Sequence, residues 1–205
     1  HWNQDQAMLW LDSSGDKLAD RGYRKMPHQA PLRETLAATI LRRASYDGSA
    51  PLVIPMCGSG TLAIEGALMA LGRPPGLLRR NFSFMHWKQF DESHFAEVRR
   101  SVSPRRSRHH RAAKPTIIAT DNNAAAVDAT RRNAETAGVG HLLETAVCDF
   151  AETPMPHDTG HIILHPEYGH RLGSTDELQS EYKRMGDFFK QKCAGWSAWI
   201  FTGNR

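Results

Sequence analysis

Short apolar runs alternate with longer segments of helical period along most of this chain. The clearest case is Pro51-Leu52-Val53-Ile54-Pro55, a buried-strand pattern, followed by the turn Met56-Cys57-Gly58-Ser59-Gly60. Leu62, Ile64, Ala67, Leu68 and Leu71 then recur at helical spacing. Upstream, Gln6 to Asp12 reads as a strand ended by the turn Ser13-Ser14-Gly15-Asp16. A helix is predicted from Ala30 to Arg43, with Pro31 in its first turn and Leu36 and Ile40 on its apolar face. Gly72-Arg73-Pro74-Pro75-Gly76 is a breaker, and a helix from Glu92 to Arg100 follows it. Thr116 to Thr120 is a second buried strand, and Asn122 to Ala137 a helix ended by Gly138. His141–Cys148 and Gly160–Leu164 are the next strands; Glu177–Lys192 is a helix with Leu178, Tyr182, Met185, Phe188 and Phe189 on one side; Gly195–Thr202 is the last strand. Strands that alternate with helices predict an α/β fold, a mostly parallel sheet with helices on both faces. In such sheets ligands bind at the carboxyl ends of the strands, where Gly58, Asp121, Asp149 and His165 all fall.

Composition narrows the setting. At 205 residues the chain is one domain, read here as an N-terminal extension over 1–50 and a core over 51–205 with an insertion at about 74–114. Apolar residues make up 40%, no run is long enough to span a bilayer, and no secretory pattern opens the chain. Cys57, Cys148 and Cys193 are widely spaced, which suits the reducing cytoplasm and argues against a disulfide frame or a metal site. The start at His1 and the stop at Arg205 read as the limits of a piece of a longer protein.

Net charge is +4 with a pI near 9.1, which points to a polyanionic partner. The stretch from Arg99 to Lys114 holds seven Lys and Arg and no acid. Such a run cannot pack into a core, so Arg105, Arg106 and Arg108 are either solvated or in contact with RNA. Arg21 and Arg24 flank Tyr23, a group that can grip a nucleotide by charge and stacking or sit in an exposed loop.

The turn after the first buried strand carries candidate chemistry. Gly58 and Gly60 let backbone approach a ligand where a Cβ would clash, and the helix start at Thr61 offers N–H groups to a phosphate or carboxylate. Asp121 can take both hydroxyls of a ribose; alternatively, Asp121 or Asn122 caps the helix. The distance from Gly60 to Asp121 exceeds the usual spacing of about 20 residues, and the insertion accounts for it.

These residues resemble a known family. Pro55-Met56-Cys57-Gly58-Ser59-Gly60-Thr61, Thr120-Asp121, Cys148-Asp149-Phe150 and the x-Pro-x-Tyr-Gly of 165–169 look like a Rossmann-like class I S-adenosylmethionine methyltransferase. Further matches are Arg21-Gly22-Tyr23-Arg24, Ala30-Pro31-Leu32-Arg33-Glu34-Thr35-Leu36-Ala37, Met185-Gly186-Asp187-Phe188-Phe189-Lys190 and Gly195-Trp196-Ser197-Ala198. They point to the THUMP-associated RNA guanine-N2 methyltransferases, whose bacterial members modify large-subunit ribosomal RNA.

The resemblance implies a cofactor, S-adenosyl-L-methionine, with Pro55, Cys57, Gly58, Ser59, Gly60 and Thr61 at its methionine end. It implies Asp121 and Asn122 at the ribose, Asp149 and Phe150 at the adenine, and His165, Pro166, Glu167 and Tyr168 at the target base. It further implies RNA as substrate, a THUMP domain upstream, and terminal strands that do not show in this chain. Three positions depart from the pattern, Ile54, His165 and Glu167. Ile54 stands where the family usually has an acid, and His165-Pro166-Glu167-Tyr168 stands for Asn-Pro-Pro-Tyr. Neutral imidazole keeps one acceptor nitrogen for the amine; protonated imidazole has none. The other readings are a methyltransferase-like RNA-binding module without catalysis, a DNA amine methyltransferase, and a dehydrogenase matching Gly58-Ser59-Gly60-Thr61-Leu62-Ala63.

Overall fold

The computed structural model describes residues 2–3, 5–26, 31–102, 115–166 and 175–203. A small antiparallel hairpin, β1 (Trp2–Asn3) and β2 (Gln6–Ala7), precedes the main body. Then come α1 (Glu34–Arg43), β3 (Leu52–Pro55), α2 (Thr61–Ala70) and α3 (Glu92–Val102). The rest is β4 (Ile117–Asp121), α4 (Ala124–Thr136), β5 (Leu143–Val147), β6 (His161–Leu164), α5 (Thr175–Lys192) and β7 (Ser197–Ile200).

The main sheet has five strands in the order β5-β4-β3-β6-β7, and every pairing is parallel. The chain winds outward from β3 through β4 to β5, then returns to the other side of β3. That reversal opens a crevice at the carboxyl ends beside β3, the place where open α/β sheets take ligands. All four residues of β3 are buried, because helices cover both of its sides. Leu52 and Ile54 join Ile117, Ala119 and Ile163 in a core shared with α1, α2 and α4. Val53 faces the other way with Ile118, Ile162 and Leu164, against Met185 and Phe188 of α5. The alternation of period two thus serves two apolar layers.

The N-terminal extension is fixed by charge. Glu65, on the buried helix α2, is 2% exposed, a position an isolated carboxylate could not hold. Arg21 meets it with two bonds, Nε to Oε1 and Nη2 to Oε2, both 3.2 Å, and the Tyr23 hydroxyl donates to Oε1 at 3.1 Å. Arg24 pairs with Glu34 at 3.1 Å and donates to Thr61 Oγ1 at 3.1 Å. Burial pushes the Tyr23 hydroxyl and the Glu34 carboxyl above their ordinary ranges. Arg21, Tyr23 and Arg24 therefore act as internal fastenings, and the expected nucleotide grip does not form there: their polar ends already face carboxylates.

Most boundaries shift by one or two residues, and three details of the N-terminal and capping regions change the picture. The strand over Gln6–Asp12 reduces to Gln6–Ala7, and Leu9, Trp10 and Leu11 stand exposed because only Trp2–Asn3 offers a pairing edge among the described residues. Helix α1 starts at Glu34, since Arg33 is still extended at φ −68, ψ 139. Asn123, not Asp121 or Asn122, caps α4; its side chain accepts from the Ala125 N–H. The insertion around α3 forms a small core of Phe82, Phe84, Phe90 and Phe95, with the Arg79 guanidinium 4.6 Å from the Phe82 ring centre. Residues 103–114, with Arg105, Arg106 and Arg108, lie outside the described residues.

Glu65→Ala leaves the Arg21 charge buried without its partner and is expected to cost about 3–5 kcal/mol in urea denaturation. Arg21→Met combined with Glu65→Leu should recover most of that loss, since the pair then becomes apolar packing.

Candidate functional site

Four strand ends converge on the crevice. Past β3 the backbone turns sharply: Met56, Gly58 and Gly60 all have positive φ, at 58, 56 and 84. The turn is held from behind by α4. Thr130 Oγ1 donates to the Gly58 carbonyl at 2.9 Å, and Asn133 Nδ2 to the Ser59 carbonyl at 3.1 Å. The Asn133 amide is used on every side, because Nδ2 also donates to Met26 O at 3.0 Å while Oδ1 accepts from Lys25 N at 2.9 Å and Met26 N at 3.0 Å. A Cβ on Gly60 would stand 2.7 Å from the Thr130 methyl, so the turn closes onto α4 only with glycine there. At Gly58 the Cβ position meets nothing within 4 Å. This is the open side of the loop.

The expected site residues divide accordingly. Gly58 is half-exposed; Pro55, Cys57, Ser59, Gly60 and Thr61 are buried. Ser59 and Thr61 therefore serve the loop's shape, Thr61 through its bond from Arg24. The Cys57 thiol sits 3.5 Å from Thr130 Oγ1, and burial pushes its pKa up to about 12. Asp121 closes the end of β4 with Oδ2 accepting from the Gly58 N–H at 2.9 Å and Oδ1 from the Asn123 N–H at 3.0 Å. Each oxygen keeps a further lone pair for a ligand hydroxyl. Asn122 is exposed beside it.

After β5, Asp149 Oδ1 accepts from the Ala151 N–H at 2.9 Å and from Arg184 Nη2 at 2.8 Å. Burial raises its pKa, but the bonds from Arg184 and Ala151 outweigh it and hold the carboxyl below the ordinary range. Phe150 is 4% exposed, its ring against Phe188 and under the Arg184 guanidinium at 4.8 Å. After β6, His165 is half-buried with its ring 5.4 Å from Phe201, and Pro166 is buried. Burial lowers the His165 pKa from its ordinary 6.5, so the ring is neutral near pH 7. Glu167 and Tyr168 lie outside the described residues. Among the described residues no three His, Cys, Asp or Glu side chains gather as a metal site.

Thr130, Asn133 and Arg184 were not visible as site residues in the sequence. A buried threonine and asparagine three apart on an otherwise alanine-rich helix are the only local sign of the first two.

A family model described as RMKL-like, methyltransferase domain, matches residues 21–205. The chain belongs to this methyltransferase family. Over 201 residues it is 40% identical to a Psychromonas ingrahamii protein named ribosomal RNA large subunit methyltransferase K/L, covering 97% of this chain and 27% of that relative. The chain thus spans about a quarter of the curated relatives it matches. Among solved structures it superposes on SMU.472, a putative methyltransferase complexed with S-adenosylhomocysteine (SAH), with a TM-score of 0.77 and 28% identity over 92% of this chain and 48% of that one. A possible methylase from Clostridium difficile gives a TM-score of 0.77 and 36% identity over 88% of this chain and 46% of its own. The Rossmann-like, class I fold of this RMKL-like domain agrees with the sequence expectation, parallel sheet and flanking helices included.

In the folded RMKL-like domain, iodoacetamide at about pH 8 should alkylate the half-exposed Cys148 well before Cys57, whose thiol stays protonated and buried. Peptide mass mapping reads the order directly. Asn133→Asp turns two donors into acceptors facing the Ser59 and Met26 carbonyls and should cost about 2 kcal/mol or more in urea denaturation.

Proposed function

We propose that this domain transfers a methyl group from S-adenosyl-L-methionine to the exocyclic N2 amine of a guanine in large-subunit ribosomal RNA. The observation that carries the reading is the convergence at the strand ends. The open side of Gly58, the Asp121 carboxylate, Asp149 and the His165-Pro166 turn all stand at the carboxyl ends of four neighbouring parallel strands, with Asp121 bonded to the Gly58 N–H. The solved relative with SAH and the ribosomal RNA methyltransferase names of the curated relatives support the same assignment.

The residues present fit the cofactor. Gly58 leaves room for the methionine end where any other residue would project a side chain. Helix α2 has no side-chain cap, so its first N–H groups can meet the carboxylate of that end. Asp121 accepts from the ribose hydroxyls, with Asn122 beside it. Asp149 accepts from the adenine amine, with its carboxyl kept ionised by the Ala151 N–H and Arg184. When bound, the sulfonium supplies the activated methyl group.

The protein's own work is positioning. The guanine is drawn out of its stack, with Tyr168 as the surface it lies on. Neutral His165 and the Pro166 carbonyl accept from its amine and hold the nitrogen lone pair toward the methyl group. Glu167 offers a carboxylate for the departing proton. Arg105, Arg106 and Arg108 hold RNA phosphate, and a THUMP domain upstream supplies further affinity. No described helix is long and apolar enough to cross a membrane, and we place the protein in the cytoplasm with its ribosomal substrate.

One observation favours a second reading, an RNA-binding module with impaired catalysis. Ile54, where the family usually carries an acid, is fully buried in the core and contributes no charge to the crevice. Calorimetric titration with S-adenosylmethionine separates the two. Binding in the micromolar range, weakened at least about tenfold (about 1.4 kcal/mol) by Asp121→Ala, is expected for the enzyme. Absence of binding by both this domain and a longer chain would overturn it.

Methyl transfer to a large-subunit ribosomal RNA fragment should fall on the acid side of the ordinary histidine value of 6.5, as His165 gains its proton and loses its acceptor. In His165→Asn that acid limb should disappear. Persistence of the limb would remove His165 from the amine site.

A further inference from the structure

The adenine end of the crevice is already covered by a side chain of this protein. Arg184, on α5, lays its guanidinium over the Phe150 ring at 4.8 Å and donates Nη2 to Asp149 Oδ1 at 2.8 Å. A planar group on the ring face and an N–H on the carboxylate are the two contacts an adenine would make there. With Arg184 in place Phe150 is only 4% exposed, so a second planar group cannot lie on that face. Arg184 is itself poised to leave: its side chain is 46% exposed, as is 37% of that of Asp149. It also has a second carboxylate to stay with, because Nη1 donates to Glu181 Oε2 at 2.8 Å on the same helix, one turn back. Release costs one exposed ion pair and one cation–π contact, each modest in water. The turn beneath stays in place, because Lys192 Nζ donates to the Ala151 carbonyl at 2.6 Å and Phe150 packs edge-on against Phe188.

We propose that Arg184 is a latch on the adenine subsite. It occupies Asp149 and Phe150 in the free protein and swings to Glu181 when adenine enters. The proposal rests on the reading that Asp149 holds the adenine of the cofactor. Cofactor affinity is then a competition between two planar donors for one carboxylate and one ring face. Arg184 lowers affinity instead of raising it, and the balance depends on salt: ionic strength screens the ion pair but barely touches the neutral adenine.

Calorimetric titration with SAH, and with adenosine as a probe of the adenine end alone, tests this. Arg184→Met keeps the apolar stem and removes the guanidinium; it should tighten both ligands by about two- to tenfold. Added NaCl should tighten binding to the unaltered protein and leave Arg184→Met unchanged. Weaker or unchanged binding in Arg184→Met, or no difference in salt response, overturns the latch. Asp149→Ala in the Arg184→Met background separates the underlying assignment. If it weakens SAH while Arg184→Met alone does not tighten it, the latch fails and the adenine assignment stands. If it leaves SAH affinity unchanged, Asp149 is not the adenine acceptor and both fall.

Discussion

Thr130 and Asn133 of α4 take the carbonyls of Gly58 and Ser59 from behind, and the carboxyl end of the sheet is arranged around that grip. A loop with three residues at positive φ has no regular hydrogen-bond ladder to keep its shape. Here the buried side chains of a neighbouring helix supply the missing partners. Asp121 completes the clamp from the front, through the Gly58 N–H. The loop is therefore held from both sides before any ligand arrives, which is the condition for binding without a large ordering cost.

The same grip explains why the N-terminal extension matters to the crevice. Asn133 bonds Lys25 and Met26 as well as Ser59, so one amide spans the extension, α4 and the loop. Arg24 does likewise from its own side, reaching Glu34 on α1 and Thr61 at the start of α2. Buried polar networks of this kind hold one arrangement, because an unmade bond in a low dielectric costs more than a made one returns. The arginines near the N-terminus are thus part of the scaffold behind the crevice.

The crevice itself carries little fixed charge. Cys57 stays protonated through burial, and His165 stays neutral for the same reason. Among the described residues the charges that remain are the two carboxylates at the ends of β4 and β5 together with Arg184. This suits a reaction whose reactive cation arrives with the cofactor and whose protein contribution is alignment. It also makes Arg184 conspicuous, as a cation that meets Asp149 and Phe150 from the outer helix.

Local pattern was enough to read the strands β3 to β7, the helices between them and the parallel winding, because burial on both faces writes period and apolarity directly into neighbouring positions. The glycine turn and Asp121 were legible for a similar reason: backbone geometry and strand-end position are short-range properties. Expectation failed where a residue's role depended on what faced it. Arg21 and Tyr23 looked like surface groups, and only the fold brought Glu65 to them across 44 and 42 residues. The helix cap passed from Asp121 or Asn122 to Asn123 because α4 starts only at Ala124, while Asp121 engages Gly58, 63 residues away. Asn133 and Arg184 were silent in sequence, since nothing near them records that a carbonyl or a carboxylate would arrive from another element. The sequence by itself determined the family, the sheet and the place of the crevice. The tertiary structure decided which charges turn inward, which loop atoms stay open and what already lies on the Phe150 ring, because hydrogen bonds between distant segments leave no period in the chain.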